Sequence, residues 1–255
     1  MKLRGPIFLS AILLSMPTAA GQFSLGTGVD YSSGDYGADE DTDILYVPLT
    51  LKYDTERWFY RLTVPYLRIR GPGDIVLGPD GDPIDLGSTG SGRETEEGLG
   101  DVIAGITYNI LPPTQSGWIA DIGGKVKFAT ADEDKNLGTG EEDYAVQGDV
   151  YKTVGRWTAL GTLGYRWLGD PSGFDLKNGF FGTVGAIYKF TDETSGGLLF
   201  DIRERSSSRS ESLRELTAYV GTRLTSALRL QLYAVTGFSD SSADWGVGTA
   251  ITYGF

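Results

Sequence analysis

The chain of 255 residues carries 34 acidic against 22 basic side chains, a formal charge of −12, and contains neither cysteine nor histidine. That balance disfavours a nucleic-acid partner, and no thiol is present for disulfides or thiolate catalysis. Without histidine the chain lacks the usual general base near neutral pH, so neither enzymatic activity nor a cofactor is expected.

The first 20 residues read as a secretory signal peptide. Lys2 and Arg4 form its positive start, Ile7 to Met16 its apolar stretch, and Thr18-Ala19-Ala20 a small-residue cleavage site. The apolar stretch is too short to span a membrane as a helix. The expected domains are therefore a signal peptide at 1–20 and a single barrel domain at 21–255. Mean hydropathy is −0.16, an average that conceals strands with one apolar face.

From residue 22 onward, side chains alternate with the period of two that marks strands. Twelve segments are predicted, at 22–31, 43–54, 57–70, 98–110, 117–130, 143–155, 156–169, 178–190, 196–205, 213–225, 227–238 and 245–255. Each reaches the roughly 9–11 residues that a tilted strand needs to cross a bilayer. Leu45, Val47, Leu49, Leu51 and Tyr53 share one face, as do Trp58, Tyr60, Leu62, Val64 and Tyr66. Pro48 and Pro65 interrupt these two segments, and proline, lacking a ladder donor, belongs at a bulge or a strand end.

Tight turns at 55–56, 112–116, 155–156, 191–195 and 226 alternate with longer loops at 32–42, 71–97, 131–142, 170–177, 206–212 and 239–244. Bacterial membrane barrels have short periplasmic turns and longer outer loops, which sets the direction of every strand. Trp58, Trp118 and Trp157 fall where strands leave the short-turn side, and Trp167 and Trp245 fall at the other boundary. Amphipathic rings belong at both membrane interfaces. The expected fold class is all-β, an antiparallel transmembrane β-barrel of about 12 strands.

Parity then assigns the lumen. Lys52, Arg61, Lys125, Lys127, Arg166, Lys189, Arg203, Arg223 and Arg229 point inward, together with Asp30, Asp101, Asp121, Asp149, Asp201 and Glu215. A Lys or Arg facing lipid at mid-membrane costs roughly 2–4 kcal/mol, which supports the assignment. Lys52, Arg61, Lys189, Arg223 and Arg229 make a basic surplus near the periplasmic end. These charges either pair and fill the barrel, or leave a hydrated path that filters solutes by charge. An inward apolar patch of Leu67, Ile69, Leu99 and Ile103 lies near the outer end, with Leu168 and Phe181 close by. It either receives a hydrophobic or aromatic small molecule or is covered by the loop at 71–97 folding back.

Acidic residues concentrate in the long loops. Asp35, Asp39, Glu40, Asp41 and Asp43 lie in or beside the first, and Asp74, Asp80, Asp82, Asp85, Glu94, Glu96 and Glu97 in the second. The third carries Asp132, Glu133, Asp134, Glu141, Glu142 and Asp143. Carboxylates suit hard divalent cations, which could bridge them to lipopolysaccharide phosphates. Asp132, Asp134 and Asn136 have the spacing that opens a calcium loop, but Leu137 stands where glycine is needed. Solvated acid clusters are the expected state. Asp201 and Glu215 could act as an acid–base pair, yet Arg203 nearby points to structural pairing.

The last segment, Trp245-Gly-Val-Gly-Thr-Ala-Ile-Thr-Tyr-Gly-Phe255, is large and apolar on one face and small on the other. It resembles the final strand of bacterial outer-membrane β-barrels, which commonly ends in Phe and serves as the assembly signal. That resemblance implies a place in the outer membrane of a Gram-negative bacterium. It also implies contact with outer-membrane lipid and lipopolysaccharide, and barrel-assembly machinery as a partner at the Phe255 end. Gly98-Leu-Gly-Asp-Val102 and the following Tyr108-Asn-Ile-Leu-Pro112 turn, with the Gly-rich, Phe-ended strand, resemble the meta-pathway phenol-degradation-like transporter family. That family implies a channel for passive passage of small solutes, often hydrophobic or aromatic. The alternative is a non-conducting structural or surface-interaction barrel working through its acidic outer loops. Barrel lipases, lipid-A modifying enzymes and omptin proteases resemble one another in using a catalytic histidine, which is missing here.

Overall fold

The computed structural model describes residues 21–36, 40–71, 75–78, 83–85, 94–113, 116–132, 135–171, 174–208 and 210–255. The expected signal peptide at 1–20 lies outside the described residues. The strands are β1 (Gln22–Gly34), β2 (Thr42–Asp54), β3 (Trp58–Gly71), β4 (Ile75–Leu77), β5 (Pro83–Asp85), β6 (Glu94–Leu99), β7 (Val102–Leu111) and β8 (Trp118–Phe128). They continue with β9 (Asp143–Val154), β10 (Trp157–Trp167), β11 (Gly179–Lys189), β12 (Thr194–Arg203), β13 (Leu213–Arg223), β14 (Leu228–Gly237) and β15 (Trp245–Gly254).

Consecutive wall strands pair antiparallel, and β15 returns to β1 with a register running from Ser24↔Gly254 to Ser33↔Trp245. The sheet is therefore closed. Strands β6 and β7 are two halves of one wall strand, because both pair with β3. The result is a closed antiparallel barrel of 12 strands, with β4 and β5 forming a separate small hairpin. Each of the twelve predicted segments is one wall strand.

Closure explains why the alternation matters. In β9, Ala145, Gln147, Asp149 and Tyr151 are buried, while Tyr144, Val146 and Val150 between them are exposed. A closed wall has one interior, so the exposed apolar face can only be the outer one. Leu49, Leu163, Val184 and Leu198 on that face are each more than half exposed, a belt that a water-soluble barrel would not carry. Aromatic rings edge the belt: Trp58 packs against Tyr108 and Trp157 against Tyr188 at the short-turn rim, and Trp245 against Tyr31 at the other.

The two prolines mark the place where the alternation breaks. Pro48 and Pro65 stand opposite each other in register. On the far side of Pro65 the pairing jumps from Tyr66↔Leu99 to Thr63↔Ile103, so two residues of β3 face three of the next strand. This is a β-bulge. Pro65 has no N–H to give, and its carbonyl accepts from Gly100 N at 2.9 Å. Gly100 and Asp101 both turn inward, and a Cβ on Gly100 would lie 2.6 Å from a Leu67 methyl, so any larger residue there would displace the buried Leu67 side chain.

The bulge overturns one expectation. Parity counted from Asp101 and Ile103 puts Leu99 inside, but the extra residue inverts the face, and Leu99 lies on the outer wall at 61% exposure.

The core of this molecule is its lumen. In the short-turn half, Ile119, Tyr151, Leu160, Ile187, Leu199, Tyr219 and Tyr233 form one buried apolar cluster. At the long-loop end the β4–β5 hairpin supplies two more. Ile75 and Leu77 pack with Leu67, Ile69, Ile44 and Leu137, and Val76 and Ile84 pack with Leu168 and Leu176. Of the two readings for the apolar patch, the covering loop is the one observed at Leu67 and Ile69.

Candidate functional site in the barrel lumen

Beneath the hairpin lies a cavity of about 160 Å³ against the β1, β2, β14 and β15 wall. It exists because this wall is thin. Gly26 and Gly28 of β1 face inward, as do Gly246, Ala250 and Thr252 of β15. Tyr233 lies flat across Gly248, where a Cβ would sit 2.2 Å from the ring, so this bulky side chain covers the wall without filling the space. Asp30, Tyr46, Lys52, Arg203 and Glu215 bring polar groups to the cavity, and Leu77 and Pro83 of the hairpin roof it.

The inward positions of β1 to β3 and β7 to β15 carry the predicted charges, and those charges are unevenly distributed. In the long-loop half they are tied down. Lys127 Nζ lies 2.9 Å from both Asp101 Oδ2 and Asp143 Oδ2, and it donates to Thr139 at 3.0 Å. Asp101 Oδ1 accepts from Thr130 N and Ala131 N, and Asp143 Oδ1 from Gly169 N, all at 2.9 Å. Asp143 therefore belongs to this buried network, not to a solvated acid cluster as the sequence reading placed it.

Arg166 donates to the Glu204 carbonyl and to Ser206 Oγ. Asp149 accepts from Gln147 and Thr162, and Lys125 sits 5.5 Å over the Phe181 ring. Asp201 and Glu215 face each other in register. Thr183 donates to Asp201, and Ala243 N donates to Glu215, so both carboxylates are engaged in holding strands and a loop together.

In the short-turn half the cations stand in like-charged neighbours. Lys52 faces Arg61 across β2 and β3, and Arg223 faces Arg229 across β13 and β14. Lys189 is different, because its Nζ donates to Asp192 in the adjoining turn. That hydrogen bond holds the exposed Asp192 carboxyl below its ordinary range. On the opposite wall Asp121 accepts from the Asn109 amide.

Asp132 and Asn136 fall in one turn, where the Asp132 carbonyl accepts from Lys135 N and Leu137 N. Asp134 lies outside the described residues, and no acidic group of three that could hold a metal occurs among the described residues. Leu137, which stands at the glycine position of a calcium loop, is buried in the apolar cluster under the hairpin. Parity reasoning missed the hairpin's own role, together with Tyr36, whose hydroxyl donates to Ser32. Burial beneath the loops pushes the Tyr36 phenol above its ordinary range. The apolar Ile-Val-Leu run at 75–77 was the available signal, near the start of a loop read as acidic.

No protein-family model matches the chain, and no curated protein matches it in sequence. Solved structures do match in shape. An outer-membrane channel from Pseudomonas putida F1 superposes with a TM-score of 0.71 at 12% identity, covering 99% of this chain and 100% of that one. The KdgM porin gives 0.54 at 8% identity over 91% and 99%. The transport unit of the Escherichia coli autotransporter AIDA-I gives 0.52 at 11% identity over 97% and 94%. The shared feature is the barrel itself. With an apolar belt and aromatic rims around that barrel, the chain is built to lie in an outer membrane.

Proposed function

We propose that the chain is a channel of the Gram-negative outer membrane for passive passage of small solutes, with the short turns on the periplasmic side. The observation that carries this reading is the glycine-walled cavity inside a membrane-spanning barrel, bordered by Lys52, Arg203 and Tyr46. A wall meant only to be filled would place larger side chains at Gly26, Gly246 and Ala250, as the facing wall does at Leu160 and Leu199. The Pseudomonas putida neighbour is described as an outer-membrane channel and the KdgM neighbour as a porin, which agrees with passage as the use of such a lumen. Among the described residues nothing in the site is arranged as a nucleophile and base, and the charged groups around Lys127, Arg166 and Asp149 hold structure together.

A second reading is favoured by the hairpin, whose apolar residues seal the long-loop end: a filled, non-conducting barrel that works through its outer loops. Conductance in planar bilayers separates the two. Wild-type protein should give small, discrete currents. Deleting residues 74–91, which leaves Pro72-Gly73-Gly92-Arg93 as the turn, should enlarge them. If both forms are folded, as heat-dependent gel mobility reports, and neither passes current, the filled barrel is correct.

A further inference from the structure

The lumen differs from one side to the other. In its short-turn half, the wall of β8 to β12 presents Ile119, Tyr151, Leu160, Ile187 and Leu199 as a continuous apolar surface. The opposing wall carries the basic pair Lys52↔Arg61, and a second pair, Arg223↔Arg229, stands at the short-turn end of β13 and β14, whose Tyr219 and Tyr233 complete the apolar cluster. Like charges directly opposite on neighbouring strands oppose folding. Where the lumen sets two acids opposite each other, neutral donors relieve them: at Asp121↔Asp149, Asn109 for one and Gln147 and Thr162 for the other, and at Asp201↔Glu215, Thr183 and Ala243 N.

The Lys52↔Arg61 pair is relieved less completely. Arg61 Nη1 is buried with no hydrogen-bond partner among the described residues. One carboxylate, Asp54, acts on Lys52, Arg61 and Arg229 together. Between the two pairs the wall is small: Ser24 pairs with Lys52, Thr252 with Arg229, and Gly26 with Thr252. The cavity reaches this strip at Lys52, Gly26 and Thr252. The wall therefore offers concentrated positive charge, a buried donor without an acceptor among the described residues, and open space beside Lys52.

We propose that this half of the lumen recognises amphipathic organic anions, namely monocarboxylates on a compact apolar body such as an arenecarboxylate. The carboxylate supplies an acceptor for Arg61 Nη1 and a counter-charge for Lys52, and the body rests on Tyr233 and Val235, the part of the apolar cluster that lines the cavity. A neutral hydrocarbon leaves the cations without a counter-charge. A polyhydroxylated anion strands its hydroxyls against the apolar wall. This assignment rests on the channel reading above and narrows its solute.

The test uses the full protein in planar bilayers carrying chloride current, with benzoate, acetate and gluconate added in turn. Benzoate should block at a concentration at least about tenfold below the other two, since all three make the charge-assisted contact and only benzoate adds apolar burial, which contributes about that factor. The double variant Lys52→Gln, Arg61→Gln should weaken the benzoate block about tenfold. Val235→Ser should bring benzoate down to the level of acetate while anion selectivity is kept. Equal block by all three solutes, or an unchanged benzoate block in the double variant, overturns the assignment and leaves the channel standing. If the folded protein carries no current, the channel reading fails, and equilibrium dialysis of labelled benzoate still decides the site. Retention by wild type and loss in the double variant uphold it, whereas equal retention in both refutes it.

Discussion

Replacing Lys127 by Met tests the energetics at the long-loop end most directly. Lys127 is 1% exposed and lies 2.9 Å from each of two carboxylates that are 5% and 1% exposed. Removing one partner of a buried ion pair costs about 3–5 kcal/mol, because the remaining charge is left without compensation. Here two carboxylates remain, but Asp101 keeps two backbone donors and Asp143 keeps Gly169 N. The expected loss is therefore at the low end, about 3 kcal/mol, or roughly a hundredfold in the unfolding equilibrium. The triple variant Lys127→Met, Asp101→Asn, Asp143→Asn buries no charge and should recover most of that loss. Urea unfolding of lipid-reconstituted protein, followed by gel mobility and tryptophan fluorescence, measures both. The network also joins the loop at 129–142 to the turn at Gly169, so the single variant should be cleaved faster by protease in that loop. A single variant within about 0.5 kcal/mol of wild type would refute the claim that this ion cluster carries the loop end.

Phe255 N donates to the Phe23 carbonyl where the barrel closes, and the ring is exposed on the outer face. Phe255→Asp should reduce the membrane-inserted, heat-modifiable fraction in cells, and wild-type levels would remove its assembly role. Leu163 stands at the middle of β10, between Trp157 and Trp167, at 65% exposure. Leu163→Arg should cost about 2–4 kcal/mol of stability in bilayers if it faces lipid at mid-depth, and a change below about 0.5 kcal/mol would place it elsewhere. Because the chain has no cysteine, Glu141→Cys and Ser226→Cys provide single labels at opposite ends. An impermeant thiol reagent on intact cells should modify the first and spare the second, and the reverse pattern would invert the barrel.

The barrel was legible because a membrane wall imposes a local rule. Every other residue must suit lipid, and that demand acts strand by strand with no knowledge of distant partners. Strand number, the alternation of short and long connections, the rims at Trp58, Trp157 and Trp245, and inward positions such as Lys52 and Asp149 all follow from it. The prolines were legible as a disturbance, since a residue without an N–H has few places in a ladder.

What the rule could not supply is anything that depends on two distant segments meeting. Leu99 turned outward because Pro65, on the neighbouring strand, forces a bulge that shifts parity by one. Asp143 looked like a loop acid because Lys127 and Asp101 reach it only across paired strands. The hairpin at 75–85 has too few residues to announce a strand pair, and its burial depends on Leu67, Ile69 and Leu168 being exposed to it by closure. The division of the lumen into a basic and an apolar wall likewise appears only when β15 meets β1, because strand order around a ring decides which side chains look at one another.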